Sequence, residues 1–517
     1  MSRQGAVVLA VDIGTTSTKT LAADETGRVL AEHSVAYPMH SPEPGAAEQD
    51  PDEICEAVLE GLAAVMRRAG LAKDDVLCVS LSSAMHSLIA LDREDRPITR
   101  SITWADQRAA AQAERLNADG SGLDVYRRTG TPVHAMSPLV KLMWLREERP
   151  DIWRRAARFA GIKEYVLHRL FGVWVTDHSL ASATGCFNLE KLAWDEEALR
   201  LAGVREEQLP KPVPTTHILK GLDEEAARRT GLGRETPFVV GASDGTLANL
   251  GVGALAPGIL AVTIGTSGAV RAAVDRPATD PQGRLFCYAL TEREWIVGGP
   301  TNSGAIAVRW MADRVCPDRP MEEAVGLAAT VPPGADGLLF LPHLAGERAP
   351  FWNPLAQGVL FGLTLAHGSA HLIRAAMEGV LFQIRAVVSA VEKMTGRARE
   401  IRASGGFAKS PFWCQMLADM TGTPVLVPDT VEGSGMGAVL LGLHALRTPD
   451  RPLAIPEPAG GTRYEPDAAV HARYSELIPM YLELYERLKE PMRAMWAFRR
   501  AAASADAGRR DLRGEEG

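Results

Sequence analysis

Two short segments of the chain share one hydrophobic pattern. Residues 8–17 read VLAVDIGTTS and residues 259–268 read ILAVTIGTSG, with six of ten positions identical at an offset of 251 residues. Each is an apolar run that breaks into a Gly-Thr turn, the pattern of a buried strand entering a tight turn. Strand-like sequence follows both copies: 20–24 and 28–34 after the first, 269–274 and 285–290 after the second. A repeat at half-length predicts a duplicated domain, each half opening on a hairpin.

The rest of the pattern is that of α/β domains. Helical spacing over 52–68 puts Ile54, Val58, Leu62, Val65 and Met66 on one face. Residues 76–82 and 88–92 read as strands, and 371–394 as a long amphipathic helix. Residues 237–241 (PFVVG) read as a buried strand that runs through Ala242-Ser243-Asp244-Gly245 into a short helix. The strand-like 400–403 runs through a glycine-rich turn into a helix at 411–421. The Gly/Pro-rich stretch 251–258 reads as a domain junction and hinge. Residues 104–222 have no counterpart of equal length in the second half, so they read as an insertion that carries specificity. Residues 501–517 are rich in Ala, Arg and Glu without an apolar pattern, which predicts a disordered tail. The expected plan is an N-terminal domain over 1–252, a C-terminal domain over 253–500 and the tail over 501–517.

Composition narrows the function classes. A chain of 517 residues, 46% hydrophobic and 23% charged, is a multi-domain globular protein. Its net charge is −8 and its basic residues do not cluster, which argues against a nucleic-acid partner. The six cysteines are scattered without a CxxC, against a disulfide framework or a structural zinc. The apolar run 6–11 is too short for a signal peptide, and no run approaches the ~18 apolar residues of a membrane span. A reduced, cytoplasmic protein without a membrane partner is expected. There is no P-loop and no HExxH. Gly241-Ala242-Ser243-Asp244-Gly245 matches GxSxG, a hydrolase elbow on Ser243, but that reading leaves the duplicated turns unexplained.

Those turns suit phosphate, because tight turns present backbone N–H groups and hydroxyls at one point. In Asp12-Ile13-Gly14-Thr15-Thr16-Ser17 a carboxylate stands beside such a turn. A carboxylate next to phosphate needs an intervening cation, so Asp12 is read as a Mg²⁺ ligand, against a bland role as a turn cap. Lys19 either neutralises phosphate or is a solvated strand residue. Asp244 is either a proton acceptor for a substrate hydroxyl or a helix N-cap. The glycines of Ser404-Gly405-Gly406-Phe407-Ala408-Lys409-Ser410 either let a flat ligand approach the backbone or form a plain turn.

Taken together these segments resemble the FGGY carbohydrate kinases, a family of the actin-like ATPase superfold. The resemblance runs from about Val7 to Leu488. Met136-Ser137-Pro138-Leu139-Val140-Lys141-Leu142-Met143-Trp144 looks like the first family signature, departing only at Glu148. Residues 358–378 (GVLFGLTLAHGSAHLIRAAME) fit the second throughout. The resemblance implies two RNase H-like α/β domains related by duplication, with the active site in the interdomain cleft. It implies ATP and Mg²⁺ as cofactors, with transfer of the γ-phosphoryl group to a sugar or polyol. It makes Asp244 the proton acceptor and Asp12 the essential aspartate of the first turn, both also beside the metal, with Thr15, Thr16, Ser17 and Lys19 near the phosphates. Gly265, Thr266 and Ser267 match the second phosphate turn; Gly405, Gly406 and Ser410 match the adenosine segment, and Gly304 the nucleotide side. On the sugar side it implies Met85, His86, Trp104, Asp106 and Asp244. Family habit implies a homodimer. Within the family, residues 47–51, 82–90, 101–106 and 162–165 look most like gluconate kinases. That implies D-gluconate as the acceptor, with xylulose kinase as the alternative and an actin- or chaperone-like ATPase as the alternative of another class. A substrate carboxylate needs a cation, and Arg108, His86, His134, Lys141 and Lys163 are the candidates.

Overall fold

The first repeat copy forms the strand Val7–Ile13, apolar and buried along its length apart from a partly exposed Asp12. In the computed structural model, which describes residues 6–429, 433–455 and 460–514, this strand lies inside a six-stranded sheet. The strand order is Ile218–Leu219, Phe238–Ser243, Val76–Ser83, Val7–Ile13, Ser17–Asp24, Val29–Ala36. Ser17–Asp24 and Val29–Ala36 follow as an antiparallel meander. Val76–Ser83 and Phe238–Ser243 join in parallel. Helix Pro51–Arg68 makes the first crossover. Asp50 caps it by accepting from the N–H groups of Asp52 and Glu53, Pro51 opens it, and Arg67 and Arg68 oppose the dipole at its end. Its apolar face buries Ile54, Val58, Leu62 and Val65 against Val7, Leu9, Val11 and Val79.

The second copy forms the strand Ile259–Ile264, inside a seven-stranded sheet. The order there is Phe286–Ala289, Trp295–Thr301, Gly268–Val274, Ile259–Ile264, Glu400–Ser404, Val425–Pro428, Gly461–Tyr464. Next to each repeat copy the arrangement is alike. The next strand in sequence pairs on one side, and on the other lie two later strands that run parallel to each other, Glu400–Ser404 with Val425–Pro428 here, although the second sheet carries one more strand on the first of these sides. The long helix Ser369–Thr395 precedes Glu400–Ser404 as Pro51–Arg68 precedes Val76–Ser83. The α/β fold is therefore built twice, as the sequence repeat predicts.

The chain divides into two units. The first holds Met1–Ala261, Arg271–Gly298 and Pro428–Gly460; the second holds Val262–Val270, Gly299–Val427 and Gly461–Gly517. The glycine-rich stretch 251–258 lies inside the first unit. There Val252 and Ala254 are buried with Ile259 and Ala261. The last helix is Ala468–Gly514. Residues 515–517 lie outside the described residues. Among the described residues the cysteines are free, and no helix is long and apolar enough to cross a membrane.

One glycine sets the end of the central parallel pair. Phe238–Ser243 shifts register against Val76–Ser83 between Val239 and Ala242. Gly241 stands there at φ +76°, and a Cβ on it would lie 1.6 Å from the carbonyl oxygen of Leu81. The irregularity re-aims the strand so that Ser243 caps the next helix, Asp244–Gly251. Gly241→Ala adds a left-handed penalty of at least ~1 kcal/mol to that clash. Its thermal unfolding midpoint should fall by several degrees, and an unchanged midpoint would show that the strand end does not depend on glycine.

Candidate active site

The first turn is held from outside by its carbonyl groups. Tyr37 Oη donates to Gly14 O at 2.7 Å, Gln49 Nε2 to Thr15 O at 2.6 Å, and Tyr37 N to Thr16 O at 3.2 Å. A trans peptide sets its N–H opposite its C=O, so the N–H groups of Thr15, Thr16 and Ser17 point the other way. That is the arrangement an anion-binding turn requires. Asp12, at the strand end, accepts from Ser82 Oγ at 2.6 Å on one oxygen and from Ser434 Oγ at 2.7 Å on the other. Those two hydroxyls fix the carboxylate plane. Lys19 faces Asp12 across the ladder, and its ammonium pairs with Glu32 at 3.3 Å.

Asp244 is the first residue of helix Asp244–Gly251, not its cap. Ser243 is the cap, accepting from Thr246 N, and its hydroxyl is buried against Ser179 and Thr246. This leaves Ser243 no face to offer a substrate, against the hydrolase elbow. The Asp244 carboxyl is pushed up to about 7, first by burial and then by the negative charge of Asp12. Arg271, the N–H of Gly245 and Lys163 pull it back down.

Arg271 is a residue the motif reading passed over. It lies in the strand Gly268–Val274, a charged residue within the otherwise apolar GAVRAAV. A methyl group on Gly245 would stand 3.5 Å from Arg271 Nε and 2.9 Å from Met85 Cε, so these two side chains meet over Gly245 at the start of the Asp244 helix. Burial lowers the Arg271 pKa, and Asp244 opposes that fall. The signal available in the sequence was the single charge in an apolar strand just beyond a phosphate-type turn.

The sugar-side candidates sit on two loops of the same unit. His86 is left-handed (φ 69°), its Nδ1 lies 2.7 Å from Ala183 O, and its ring meets Tyr288 edge-on at 6.0 Å. Trp104 Nε1 donates to Thr15 Oγ1 at 2.9 Å, which ties its loop to the first turn. Asp106 accepts from Ala47 N at 3.0 Å and from Arg108 Nη2 at 2.7 Å. Arg108 also reaches Glu43 and Glu48 and stacks over Trp144 at 4.5 Å. Lys163 pairs with Asp177 at 2.6 Å, both fully buried, and Lys141 is spent on backbone carbonyls. Of the cations weighed for a substrate carboxylate, these three are therefore engaged by the protein itself.

The second unit gathers the second turn with its neighbours. Gly265 N donates to Ser267 O at 2.8 Å, and Ala305 N to Gly265 O at 2.8 Å. A Cβ on Gly304 would lie 2.6 Å from Thr266 O, so only glycine fits against the turn. Gly405, at φ +91°, packs as closely on Ile264 O. Gly406 opens the 3₁₀ turn Gly406–Lys409, and Ser410 caps helix Pro411–Thr421 by accepting from Trp413 N at 3.3 Å. Glu347, which the sequence did not single out, holds the loop before Gly304. It is fully buried and accepts from Asn302 N at 2.6 Å, from the Ser303 hydroxyl and from His343 Nδ1 at 3.1 Å. Burial pushes its carboxyl up, and these donors bring it below the ordinary carboxylate value.

The two carboxylates Asp12 and Asp244 suit a hard divalent cation. Asp12 raises the Asp244 pKa, a repulsion that such an ion would relieve. Among the described residues there is no group of three or more His, Cys, Asp or Glu that could hold a metal.

Comparison with known proteins also divides the chain in two, at bounds other than those of the compact units. Residues 7–251 match the N-terminal domain model of the FGGY family of carbohydrate kinases, and residues 260–446 match the C-terminal one. The chain is 44% identical over 509 residues to the gluconokinase of Bacillus licheniformis, covering 96% of this chain and 99% of that one. A solved gluconate kinase of Lactobacillus acidophilus superposes with a TM-score of 0.90 at 35% identity, covering 94% of this chain and 98% of that one. A ligand-bound structure described as xylulose kinase from Lactobacillus acidophilus gives the same TM-score of 0.90 and 35% identity, over 93% of this chain and 98% of that one.

Proposed function

The chain belongs to the FGGY family of carbohydrate kinases, and on that premise we propose that it transfers the γ-phosphoryl group of ATP to the terminal hydroxyl of D-gluconate, giving 6-phosphogluconate and ADP. The chemistry rests on Asp244, a carboxyl held near neutrality at a helix start beside Asp12 and Arg271. Near-neutral acidity suits a group that must take up a proton at physiological pH. The acceptor rests on the 44% identity to a gluconokinase over nearly the full length of both chains. With unpaired cysteines, the enzyme would work in a reducing compartment, the cytoplasm.

In this reading Asp244 orients the acceptor hydroxyl and takes its proton. The hydroxyl oxygen bonds to the γ-phosphorus as the bond to the ADP oxygen breaks. Asp12, with Asp244 beside it, would hold Mg²⁺, which supplies charge neutralisation at the phosphates. The amides of Thr15, Thr16 and Ser17 and the turn Gly265-Thr266-Ser267 receive phosphate oxygens, with Lys19 adding positive charge near the first turn. Gly304, Gly405, Gly406 and Ser410 form the nucleotide side. Met85, His86 and Trp104 form the sugar side, with Asp106 fixing the Trp104 loop. A coupled ADP-release assay with and without sugars tests the class. ADP release only when sugar is present is expected; equal release without sugar would make the protein an ATPase of the actin or chaperone kind.

Xylulose kinase is the second reading, favoured by the equal TM-score of the structure described as that enzyme. The pH profile tests the base in either case. Asp244 must be ionised to act, so kcat/KM should fall on the acid side with an apparent pKa near 7. Arg271 lowers that pKa, so Arg271→Gln should move the acid limb upward. A limb that stays in place or moves down would remove Arg271 from this electrostatic role.

A further inference from the structure

The first family-like signature, Met136 to Trp144, has no part in the chemistry above. Its one charged residue is Lys141. It lies on helix Pro138–Glu148 and is completely buried. Its Nζ lies within hydrogen-bond distance of three backbone carbonyls: His86 O at 2.6 Å, Thr103 O at 2.6 Å and Ile102 O at 3.2 Å, while burial lowers its pKa to about 7. With its donors used and no exposed surface, Lys141 cannot touch a sugar.

The three carbonyls belong to two loops far apart in sequence. One carries His86, whose left-handed backbone (φ 69°) needs its surroundings to hold it. Ala183 O takes the His86 ring and Lys141 takes its carbonyl, so both ends of the residue are fixed. The other loop leads into Trp104, whose peptide begins at the Thr103 carbonyl that Lys141 grips. Trp104 in turn bonds Thr15 of the first turn. One buried amine thus joins the His86 loop, the Trp104 loop and, through Trp104, the first phosphate turn.

We propose that Lys141 is the positioning residue of the sugar site, fastening the His86 and Trp104 loops at the spacing the acceptor sugar requires. An amine on three carbonyls does this where an apolar residue of equal length would not, because removing it takes a donor from each of the three, of which Ile102 O and Thr103 O keep a backbone N–H, from Leu88 and Asp106. The proposal rests on the sugar-side reading of His86 and Trp104, but not on which sugar is used. It is therefore measured on whichever sugar the wild-type protein turns over, and an inactive wild type would count against the function rather than against Lys141.

The test is steady-state kinetics of Lys141→Met and Lys141→Gln, with KM for sugar and for ATP measured separately. Displacing a binding wall by about an ångström costs on the order of a hundredfold, so Lys141→Met should raise the sugar KM by about ten- to a hundredfold while the ATP KM stays within about twofold. Lys141→Gln keeps two donors and should fall between it and the wild type. Combined with His86→Ala, Lys141→Met should add little further loss, because both act through one wall. Equal rises in both KM values, an unchanged sugar KM, full additivity with His86→Ala, or insolubility of both Lys141 variants would each overturn the proposal and leave Lys141 a core residue only.

Discussion

Asp244→Asn should lower kcat by about two to four orders of magnitude, the usual contribution of a positioned general base, with ATP affinity retained. The substitution keeps the size and the helix start of Asp244–Gly251, because Ser243 rather than Asp244 caps that helix. It removes only the group that takes the proton. Stability should move the opposite way. The folded protein holds the Asp244 proton up to about pH 7, whereas the reference carboxyl releases it near 3.8. Between those values the native state binds more protons than the unfolded one, so this residue's contribution to stability is lost as pH rises through 7. Asn has no charge to bury, so at pH 8 the variant should melt at or above the wild-type midpoint, while at pH 4 the two should converge. Near-normal turnover in the variant would remove Asp244 from the role of base.

Asp12→Asn should have the second large effect, a loss of about two to three orders in kcat that added Mg²⁺ only partly recovers. Asn can still accept from one of Ser82 and Ser434, so the strand end stays in place. It no longer presents two anionic oxygens to a cation. It also removes the charge that helps to raise the Asp244 pKa, so the acid limb of the residual activity should shift downward. Titration of activity against Mg²⁺, with pH profiles at saturating metal, reads both effects. A variant with wild-type Mg²⁺ dependence would take Asp12 away from the metal.

The contrast between these residues and Lys141 or Arg271 shows what a sequence pattern can carry. The two copies of the LAVxIGT run were legible because a buried strand and its turn are written in adjacent residues, and both became sheet strands set between the next strand in sequence and a later one. Helix Pro51–Arg68 was legible for the same reason, down to its apolar face. The stretch 251–258 read as a hinge because glycine and proline signal a break. Whether such a break is mobile or packed depends on Val252 and Ala254 meeting Ile259 and Ala261, which the local pattern does not state. Asp106 and Arg108 looked like neighbours available to a substrate. The fold joins them to each other and to Ala47, Glu43 and Glu48, contacts set by the folded loops. Arg271 escaped attention because its partner Asp244 comes from the far side of the repeat turn. Glu347 did so because its acceptor role depends on Asn302, Ser303 and His343 being folded around it.

The most direct measurement is kcat/KM of the purified protein, with ATP and Mg²⁺, across D-gluconate, D-xylulose, D-ribulose and glycerol. A preference for gluconate of at least about a hundredfold, with phosphate on its terminal hydroxyl, is the expected result. Saturable turnover of xylulose with none of gluconate would contradict it.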